Sequence, residues 1–354
     1  MVDNVIILGA GASAAEGAPV QAKLFKEYFL LKRKNGEPIN KHLISYFYNF
    51  WQINLNTVDL EEVLFPSFEE ALGMLELAKQ RQEYFLNLYN TTNYHHMDQI
   101  IEELIFLIAE VLQRTLGQFS KLHTLLVEKM VNNNKIRNTS FISLNYDILI
   151  DNSLTKLHDV IDLDYGIDFV NFNEPGNWHR PHPDNSIKLF KIHGSLNWLY
   201  CPICKKIRIT PLEKSVTLLI SKNLKNRLLC HSCKALFVPI LVPPTFFKIM
   251  SNPYLVQIWD KAENALRECK NIIFCGYSIP QADIHIKYLL KRGTLNRSTP
   301  HPNIVVVNNY PGKPMQTKEE EKIRFIRLFG KERVHYSTIT TFKSFCTRPG
   351  LYLV

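Results

Sequence analysis

The chain has 354 residues, of which 46% are hydrophobic and 21% are charged. That length suits two modest domains or one large domain with insertions, and the apolar content is ample for a buried core, so the chain is globular rather than disordered. The net charge is +9, and because the excess is spread over several short segments it favours anionic ligands without indicating direct nucleic-acid binding.

The first predicted element is a strand. A short apolar run from Asn4 to Leu8 leads into the glycine-rich segment GAGASA and then into a helix-like stretch. Strand, glycine turn and helix in this order are typical of the opening of a dinucleotide-binding unit, where glycines let the backbone approach a pyrophosphate and the helix N-terminus supplies amide dipoles. The alternative is an ordinary tight turn. We predict that the dinucleotide contacts Gly9, Ala10, Gly11 and Ser13.

The start of the chain, MVDNVIILGAG, gives no sign of a secretory signal, because it lacks a basic region and its apolar run has only the length of a strand. No other stretch approaches the roughly 20 apolar residues that span a bilayer. We expect a cytoplasmic protein that makes no membrane contact.

Residues 36–134 have helical periodicity and little glycine. The segments FEEALGMLELAKQRQEYFLNLY and MDQIIEELIFLIAEVLQRTLGQF both repeat apolar residues at intervals of three and four. We predict a helical insertion whose apolar stripes form a core. Its paired glutamates are expected on solvated helix faces rather than in a metal site; they are Glu61, Glu62, Glu69 and Glu70.

Four later apolar runs predict further strands, at residues 139–147, 186–194, 271–280 and 303–310. Near-continuous apolar runs that end in small or polar residues are typical of parallel strands buried on both faces. In an open α/β sheet the ligand binds at the carboxyl ends of the strands. The candidate binding residues at these ends are Asn145, Asp147, His193, Gly276, Tyr277, Ser278 and Asn308.

Two C-x2-C pairs lie between the second and third of these runs. Their spacing suits one tetrahedral zinc ion, held by Cys201, Cys204, Cys230 and Cys233. A redox motif or two free surface pairs are the alternatives, but neither pair begins a helix in a thioredoxin-like context. Four cysteine ligands leave no open position for water, so we expect a structural zinc, with His231 a neighbour and not a ligand.

The chain ends with a charged helix, KEEEKIRFIRLFG, and a strand-like segment, HYSTITTF. The predicted fold class is therefore α/β, a Rossmann-like parallel sheet with a helical insertion and a zinc-ribbon insertion. We assign residues 1–35, 135–200 and 240–354 to a Rossmann-like NAD-binding domain, 36–134 to the helical insertion and 201–239 to the zinc-ribbon module.

Taken together, these motifs resemble the SIR2 superfamily, and its prokaryotic SIR2-like branch more closely than the protein-deacetylating sirtuins. The matching segments, in family order and spacing, are GAGAS at Gly9, LNYD, KIHGSLNW, the C-x2-C pairs and GYS at Gly276. The resemblance implies a sirtuin-like fold with NAD as substrate. It also implies that Asn145 lies against the nicotinamide ribose, that Asp147 contacts the carboxamide and that His193 is the general base.

Three departures from the sirtuin pattern bear on the substrate. GAPVQAK follows the glycine loop where sirtuins have proline, aspartate, phenylalanine and arginine, so the arginine is missing. FVPILVPPTFFK stands where a deacetylase has the phenylalanine-glycine-glutamate segment that pairs with the peptide, and its prolines cannot donate to a strand ladder. Leu144 replaces a glutamine of the asparagine motif. The second departure argues against peptide binding, and the third changes the local polarity of the asparagine motif.

The residue types suit cleavage of the bond between nicotinamide and ribose. An asparagine amide can donate to one oxygen and accept from another while staying uncharged, and a histidine with an ordinary pKa of about 6.5 can accept a proton at neutral pH. We predict Asn145 and His193 as catalytic. The alternatives are a structural role for His193 and turn-shaping roles for Asn145 and Asp147; the histidines and arginine of the loop NWHRPHPDN are expected to be exposed.

The resemblance implies an NAD hydrolase of anti-phage abortive-infection systems. Such a protein is expected to form a homo-oligomer and to act beside a HerA-type ATPase or another defence-system partner. The alternatives are an NAD-dependent protein deacylase and a non-catalytic module that binds NAD or ADP-ribose. A hydride-transferring dehydrogenase is disfavoured, because the acidic residue expected about 20 positions past the glycine loop is replaced by KRKNGEP.

Overall fold

The computed structural model describes residues 2–88, 96–116, 120–157, 161–167, 181–210, 228–242, 252–281 and 283–354. Its contacts divide the chain into two units, one made of Met1–Ala18, Gly117–Leu241 and Met250–Val354 and the other of Pro19–Leu116 and Val242–Ile249. The domain boundaries expected from the sequence stay a prediction.

The helices of the described residues are interspersed with strands in the first unit and follow one another in the second. In chain order they are Ala10–Ala14 (α1), Leu24–Lys34 (α2), Lys41–Trp51 (α3), Phe68–Arg81 (α4), His96–Thr115 (α5), Lys121–Asn132 (α6), Leu149–Thr155 (α7), Pro253–Glu268 (α8), Ile284–Leu295 (α9), Met315–Phe329 (α10) and Phe342–Thr347 (α11). Within the part of the chain that the structure describes, none of them has both the length and the apolar character needed to cross a bilayer.

The first unit is built on a seven-stranded sheet in which all the paired strands are parallel. In chain order its strands are Asn4–Leu8 (β1), Thr139–Ser143 (β2), Asp162–Asp164 (β3), Ser186–Lys191 (β4), Asn271–Cys275 (β8), Asn303–Asn309 (β9) and Val334–Thr341 (β10). Their spatial order is β10-β9-β8-β1-β2-β4-β3. Every residue of β1, β2 and β8 is buried, as parallel strands covered on both faces require. The predicted α/β fold with a parallel sheet is confirmed.

A smaller antiparallel sheet continues directly from this one. Its strands are Gly194–Tyr200 (β5), Ile207–Ile209 (β6) and Val238–Leu241 (β7), in the order β6-β5-β7. Pro239 lies in β7, opposite Leu199 of β5. A proline is tolerated there because β7 is an edge strand.

Glycine is required where β5 begins. Gly194 has φ 82°, and a Cβ added to it would lie 1.9 Å from the carbonyl oxygen of Ile240 in β7. The glycine that follows His193 therefore permits β7 to approach, in addition to forming the turn out of β4.

The second unit contains α2 to α5 and has an aromatic core. The Phe25 and Phe29 rings both pack edge-on against Phe47, with centroids 4.9 and 5.1 Å apart. The second predicted amphipathic segment is confirmed as α5, and the first is confirmed as α4 only as far as Arg81, because Gln82 with φ 58° ends the helix. Glu70 closes a capping box with Ser67 at the start of α4, so this glutamate stabilises a helix end.

Glu16 fixes the end of the glycine loop to α6. Its carboxylate accepts hydrogen bonds from the Ser120 hydroxyl and from the amides of Leu122 and His123. Burial opposes ionisation, but the bonds from His123, Ser120 and Leu122 outweigh it and lower the pKa of Glu16 to about 2. The ionised carboxylate lies at the amino end of α6, where the helix dipole favours a negative charge.

The loops after β1 and β8 touch through glycine backbone. Gly11 N donates to Gly276 O at 2.8 Å, and Gly9 N donates to Cys275 O at 2.9 Å. A Cβ on Gly276, whose φ is 69°, would lie 2.1 Å from Ala12 N, and a Cβ on Gly11 would lie 2.7 Å from Gly276 Cα. Contact between the two loops is therefore sufficient to require glycine here, whatever ligand the loops bind.

We expect Gly276→Ala to reduce stability far more than Gly312→Ala. Both glycines have positive φ, 69° and 77°, so each alanine lowers the free energy of unfolding by placing a Cβ on left-handed backbone. At Gly312, however, no heavy atom of the described residues lies within 4 Å of the added Cβ. Urea denaturation should show a loss of about 1 kcal/mol for Gly312→Ala and at least about 3 kcal/mol for Gly276→Ala. Equal losses would contradict the loop contact.

Candidate functional site

The carboxyl ends of β1, β2 and β4 bring the predicted catalytic residues together. Asn145 follows β2, His193 follows β4, and the glycine loop follows β1. The three ends are neighbours in the sheet, where β2 lies between β1 and β4. A crevice at this edge is the place where an open parallel sheet binds its ligand.

The side chain of Asn145 is anchored to the glycine loop. Its Nδ2 donates to Gly9 O and to Ser13 Oγ, both at 2.9 Å. A backbone carbonyl can only accept, so this contact identifies the nitrogen of the carboxamide. With both Nδ2 hydrogens used, Asn145 offers the acceptor Oδ1 to any ligand.

His193 is held by the residue next to Asn145. The ring is buried, and its Nδ1 lies 3.1 Å from Leu144 O. Because the carbonyl can only accept, the proton of the neutral ring is on Nδ1 and the lone pair is on Nε2. The ring centroid of Tyr146 lies 6.4 Å from that of His193. The predicted base is therefore in the tautomer that can take a proton through Nε2.

Asp147 joins the same hydrogen-bonded unit. Its Oδ2 accepts from the Ser13 hydroxyl at 2.5 Å, and its Oδ1 accepts from Leu149 N at 3.1 Å, at the start of α7. Both side chains of the Ser13–Asp147 pair are buried. Asp147 thus shapes the turn after β2, which is the alternative role considered for it from the sequence. It also orients the Ser13 hydroxyl that accepts a hydrogen bond from Asn145.

The predicted residues after β8 and β9 form a second group. The Asn308 carboxamide accepts from Tyr277 N at 3.2 Å and donates to Tyr277 O at 2.5 Å and to Glu321 Oε1 at 2.8 Å. Asn308 is therefore committed to holding the Tyr277 backbone. Ser278 O accepts from Arg324 Nε at 3.0 Å. A direct contact of these residues with NAD stays a prediction.

The Tyr277 side chain is engaged as well. Its hydroxyl donates to Asp283 Oδ2 at 2.8 Å. Burial raises the pKa of Tyr277, and the Asp283 carboxylate raises it further, so the hydroxyl stays a donor. Two residues on, Ile279 has φ 51°, a conformation that is rare for a β-branched residue.

Two buried ion pairs behind these turns were not predicted from the sequence. Lys191 pairs with Asp151, and Lys313 pairs with Glu321; the Lys191 side chain has no exposed surface. A lysine inside an apolar run such as KLFKIHG was a usable signal, because lysine is almost never fully buried unless it is paired.

The four predicted metal ligands form a separate cluster. Their sulfurs all lie within 4.8 Å of one another, and the cysteines are free of disulfides. Two of the separations cross between the pairs, 3.3 Å for Cys201–Cys233 and 3.4 Å for Cys204–Cys230. Four sulfurs at about 2.3 Å from one zinc ion would be about 3.8 Å apart, so the four cysteines fit this metal. A zinc ion bound there would crosslink the two C-x2-C turns and would have no open coordination position.

Each cysteine pair forms the same turn. Lys205 N donates to Cys201 O at 2.9 Å, and Lys234 N donates to Cys230 O at 2.8 Å. Both lysines have positive φ, 58° and 62°. The exposed His231 lies within the second turn.

A family model described as a SIR2-like domain matches residues 139–329. No curated protein sequence matches the chain significantly. A sirtuin solved to explain sirtuin substrate affinity is 15% identical, with 98% of this chain and 92% of that chain covered and a TM-score of 0.45. A Sir2 homologue with a histidine-to-asparagine substitution, in complex with ADP-ribose, is 14% identical, with coverages of 99% and 94% and a TM-score of 0.44. A complex of Sir2 with a p53 peptide and NAD+ is 14% identical, with coverages of 98% and 91% and a TM-score of 0.42.

We expect the purified protein to carry about one zinc ion per chain, and Cys233→Ser to lose it. The loss should lower the midpoint of thermal unfolding, because the ion would tie two distant turns together. Cys269→Ser is the control, since Cys269 lies outside the cluster and its removal should leave the metal content unchanged. Elemental analysis measures the content; a full equivalent of zinc in Cys233→Ser would rule out this ligand set.

Proposed function

Because the chain belongs to the SIR2-like domain family, whose model matches residues 139–329, we propose that it is an NAD glycohydrolase that releases ADP-ribose and nicotinamide. The observation that carries the proposal is the hydrogen-bonded unit of the glycine loop, Asn145 and His193. An acceptor and a base are thereby held at adjacent strand ends beside a glycine loop.

The proposed reaction is a substitution at C1′ of the nicotinamide ribose. The bond from C1′ to the nicotinamide nitrogen breaks, its electron pair leaves with nicotinamide, and the base becomes neutral. Water forms the new bond to C1′ and loses one proton. Positive charge develops on the ribose in the transition state, so the site has to supply acceptors and exclude other nucleophiles.

Asn145 supplies the acceptor. Its Oδ1 would accept a hydrogen bond from the attacking water or from a ribose hydroxyl. The two bonds from Nδ2 to Gly9 and Ser13 prevent the amide from rotating away, so the acceptor is in place before the substrate binds.

His193 takes the proton. Nε2 would accept it from the water or a ribose hydroxyl, and Leu144 O, already paired with Nδ1, would stabilise the resulting imidazolium. Asp147 would accept from the nicotinamide carboxamide through a lone pair not used by Ser13 or Leu149, since each carboxylate oxygen can accept more than one bond.

We expect Asn145→Ala and His193→Ala each to reduce nicotinamide release from NAD by at least about 100-fold. His301→Ala is a matched control, because the His301 ring nitrogen also pairs with a backbone carbonyl, Thr294 O at 3.0 Å, but lies before β9 at the opposite ends of the strands. Chromatography of the products measures the rate. Unchanged activity in both site variants would overturn the assignment.

Two further assays separate the alternative functions. NAD-dependent deacylation of an acetylated peptide would favour a deacylase, and saturable NAD binding without turnover would favour a regulatory module. Of FVPILVPPTFFK, only residues 237–242 lie within the described residues, and there Pro239 removes one amide donor from β7. A strand that lacks a donor is a poor template for an added peptide.

We also propose that this activity serves abortive infection, with the chain in a homo-oligomer beside a HerA-type ATPase or another defence partner. The support is the resemblance to defence hydrolases together with the departures from the peptide-binding pattern. In infected cells that express the chain and its neighbouring gene, we expect NAD to fall and plaque numbers to drop. His193→Ala should abolish both effects and His301→Ala neither; plaque reduction that survives His193→Ala would contradict a role for hydrolysis.

A further inference from the structure

We propose that Lys191 is a positioning residue for the reaction proposed above: through its ammonium group it sets the Asn145–Asp147 turn against His193. Lys191 is the last residue of β4, two positions before His193, and is completely buried. Its Nζ donates to the backbone carbonyl of Asp147 and to Asp151 Oδ2, the latter at 3.2 Å. The inference deepens the proposed function and rests on it.

The contact with Asp147 is one of three that join the same two segments. His193 Nδ1 pairs with Leu144 O, Leu196 N donates to Tyr146 O at 2.9 Å, and Lys191 Nζ donates to Asp147 O. Donors from residues 191–196 thus satisfy carbonyls on both sides of Asn145. Without the lysine, the carbonyl at the far end of the turn would lose its donor in a buried place, where an unpaired group is costly.

Asp151 in turn is held from the other side. The Tyr165 hydroxyl donates to Asp151 Oδ1 at 2.6 Å, and Asn197 Nδ2 reaches the Tyr165 oxygen at 3.4 Å. Burial and the nearby Asp151 carboxylate raise the pKa of Tyr165, so the hydroxyl remains a donor. The carboxylate is therefore fixed where it orients the ammonium group toward Asp147 O.

The same device occurs at a second strand end. Lys313 Nζ donates to Asn308 O at 3.0 Å and to Glu321 Oε2 at 2.8 Å, while the Tyr336 hydroxyl donates to Glu321 Oε1 at 2.8 Å. In each case a buried lysine holds a main-chain carbonyl and pairs with a helix carboxylate that also accepts from a tyrosine. A buried ion pair adds little stability over a well-packed apolar pair, so the carbonyl contact is the feature that requires a lysine.

The test compares Lys191→Met with the double variant Lys191→Met/Asp151→Asn. The single variant leaves the Asp151 carboxylate buried without its counter-charge and should unfold more easily. The double variant removes that charge and should recover much of the stability, but it still lacks the donor to Asp147 O. We therefore expect its kcat for NAD to fall by about 10- to 100-fold, with KM within about threefold of the wild type.

Phe345→Leu is the control for general destabilisation, because Phe345 is buried in α11 and contacts Tyr352. It should lower the unfolding midpoint and leave kcat unchanged. Recovery of the wild-type kcat in the double variant would overturn the proposal, since Lys191 would then serve only as a counter-charge.

A measurement without turnover keeps the two proposals separate. Amide hydrogen exchange in residues 144–149 should be at least about tenfold faster in the double variant than in the wild type and in Phe345→Leu. Unchanged exchange would overturn the positioning role even if the enzyme is active. A wild-type protein that does not cleave NAD would overturn the proposed function, and the exchange rates would still decide whether Lys191 holds the turn.

Discussion

The two hydrogen bonds from Asn145 Nδ2 to the glycine loop are the contact on which the rest of the site depends. They join the ends of β1 and β2, and they determine which atom of the carboxamide remains for a ligand. Strand ends leave backbone carbonyls without sheet partners, and a buried carbonyl needs a donor. In this protein side chains supply many of these donors, so the groups that complete the backbone hydrogen bonds also shape the site.

The two asparagines at strand ends show how this requirement separates residues of the same type. Asn145 retains an acceptor for a ligand, whereas the Asn308 carboxamide is shared between Tyr277 and Glu321. The difference arises from the backbone amide of Tyr277, which donates to Asn308 Oδ1 and so occupies the acceptor that Asn145 leaves open. The type of residue at a strand end therefore indicates a polar site, while its neighbours in space decide which atoms remain for a ligand.

Burial on both faces made most of the sheet predictable. Continuous apolar runs marked β2, β4, β8 and β9, and intervals of three and four marked α4 and α5. The strand β3 has only three residues, too few for either period to be visible. The glycine motif was predicted for the approach of a ligand, but Gly11 and Gly276 are also required by their mutual contact, which no local pattern reveals. The apolar run around Lys191 indicates that this lysine is paired, but no local pattern identifies Asp151 as its partner, because the two residues come from different elements.

The metal cluster and the candidate site lie at the two ends of β5. β5 runs from Gly194, beside His193, to Tyr200, beside Cys201, and has seven residues. At about 3.3 Å per residue it spans about 20 Å. A zinc ion at its far end would therefore make no direct contact with His193. The zinc ion would instead fix the carboxyl end of β5, while the packing of Gly194 on Ile240 fixes its beginning. With both ends fixed, the strand keeps His193 in place against Leu144.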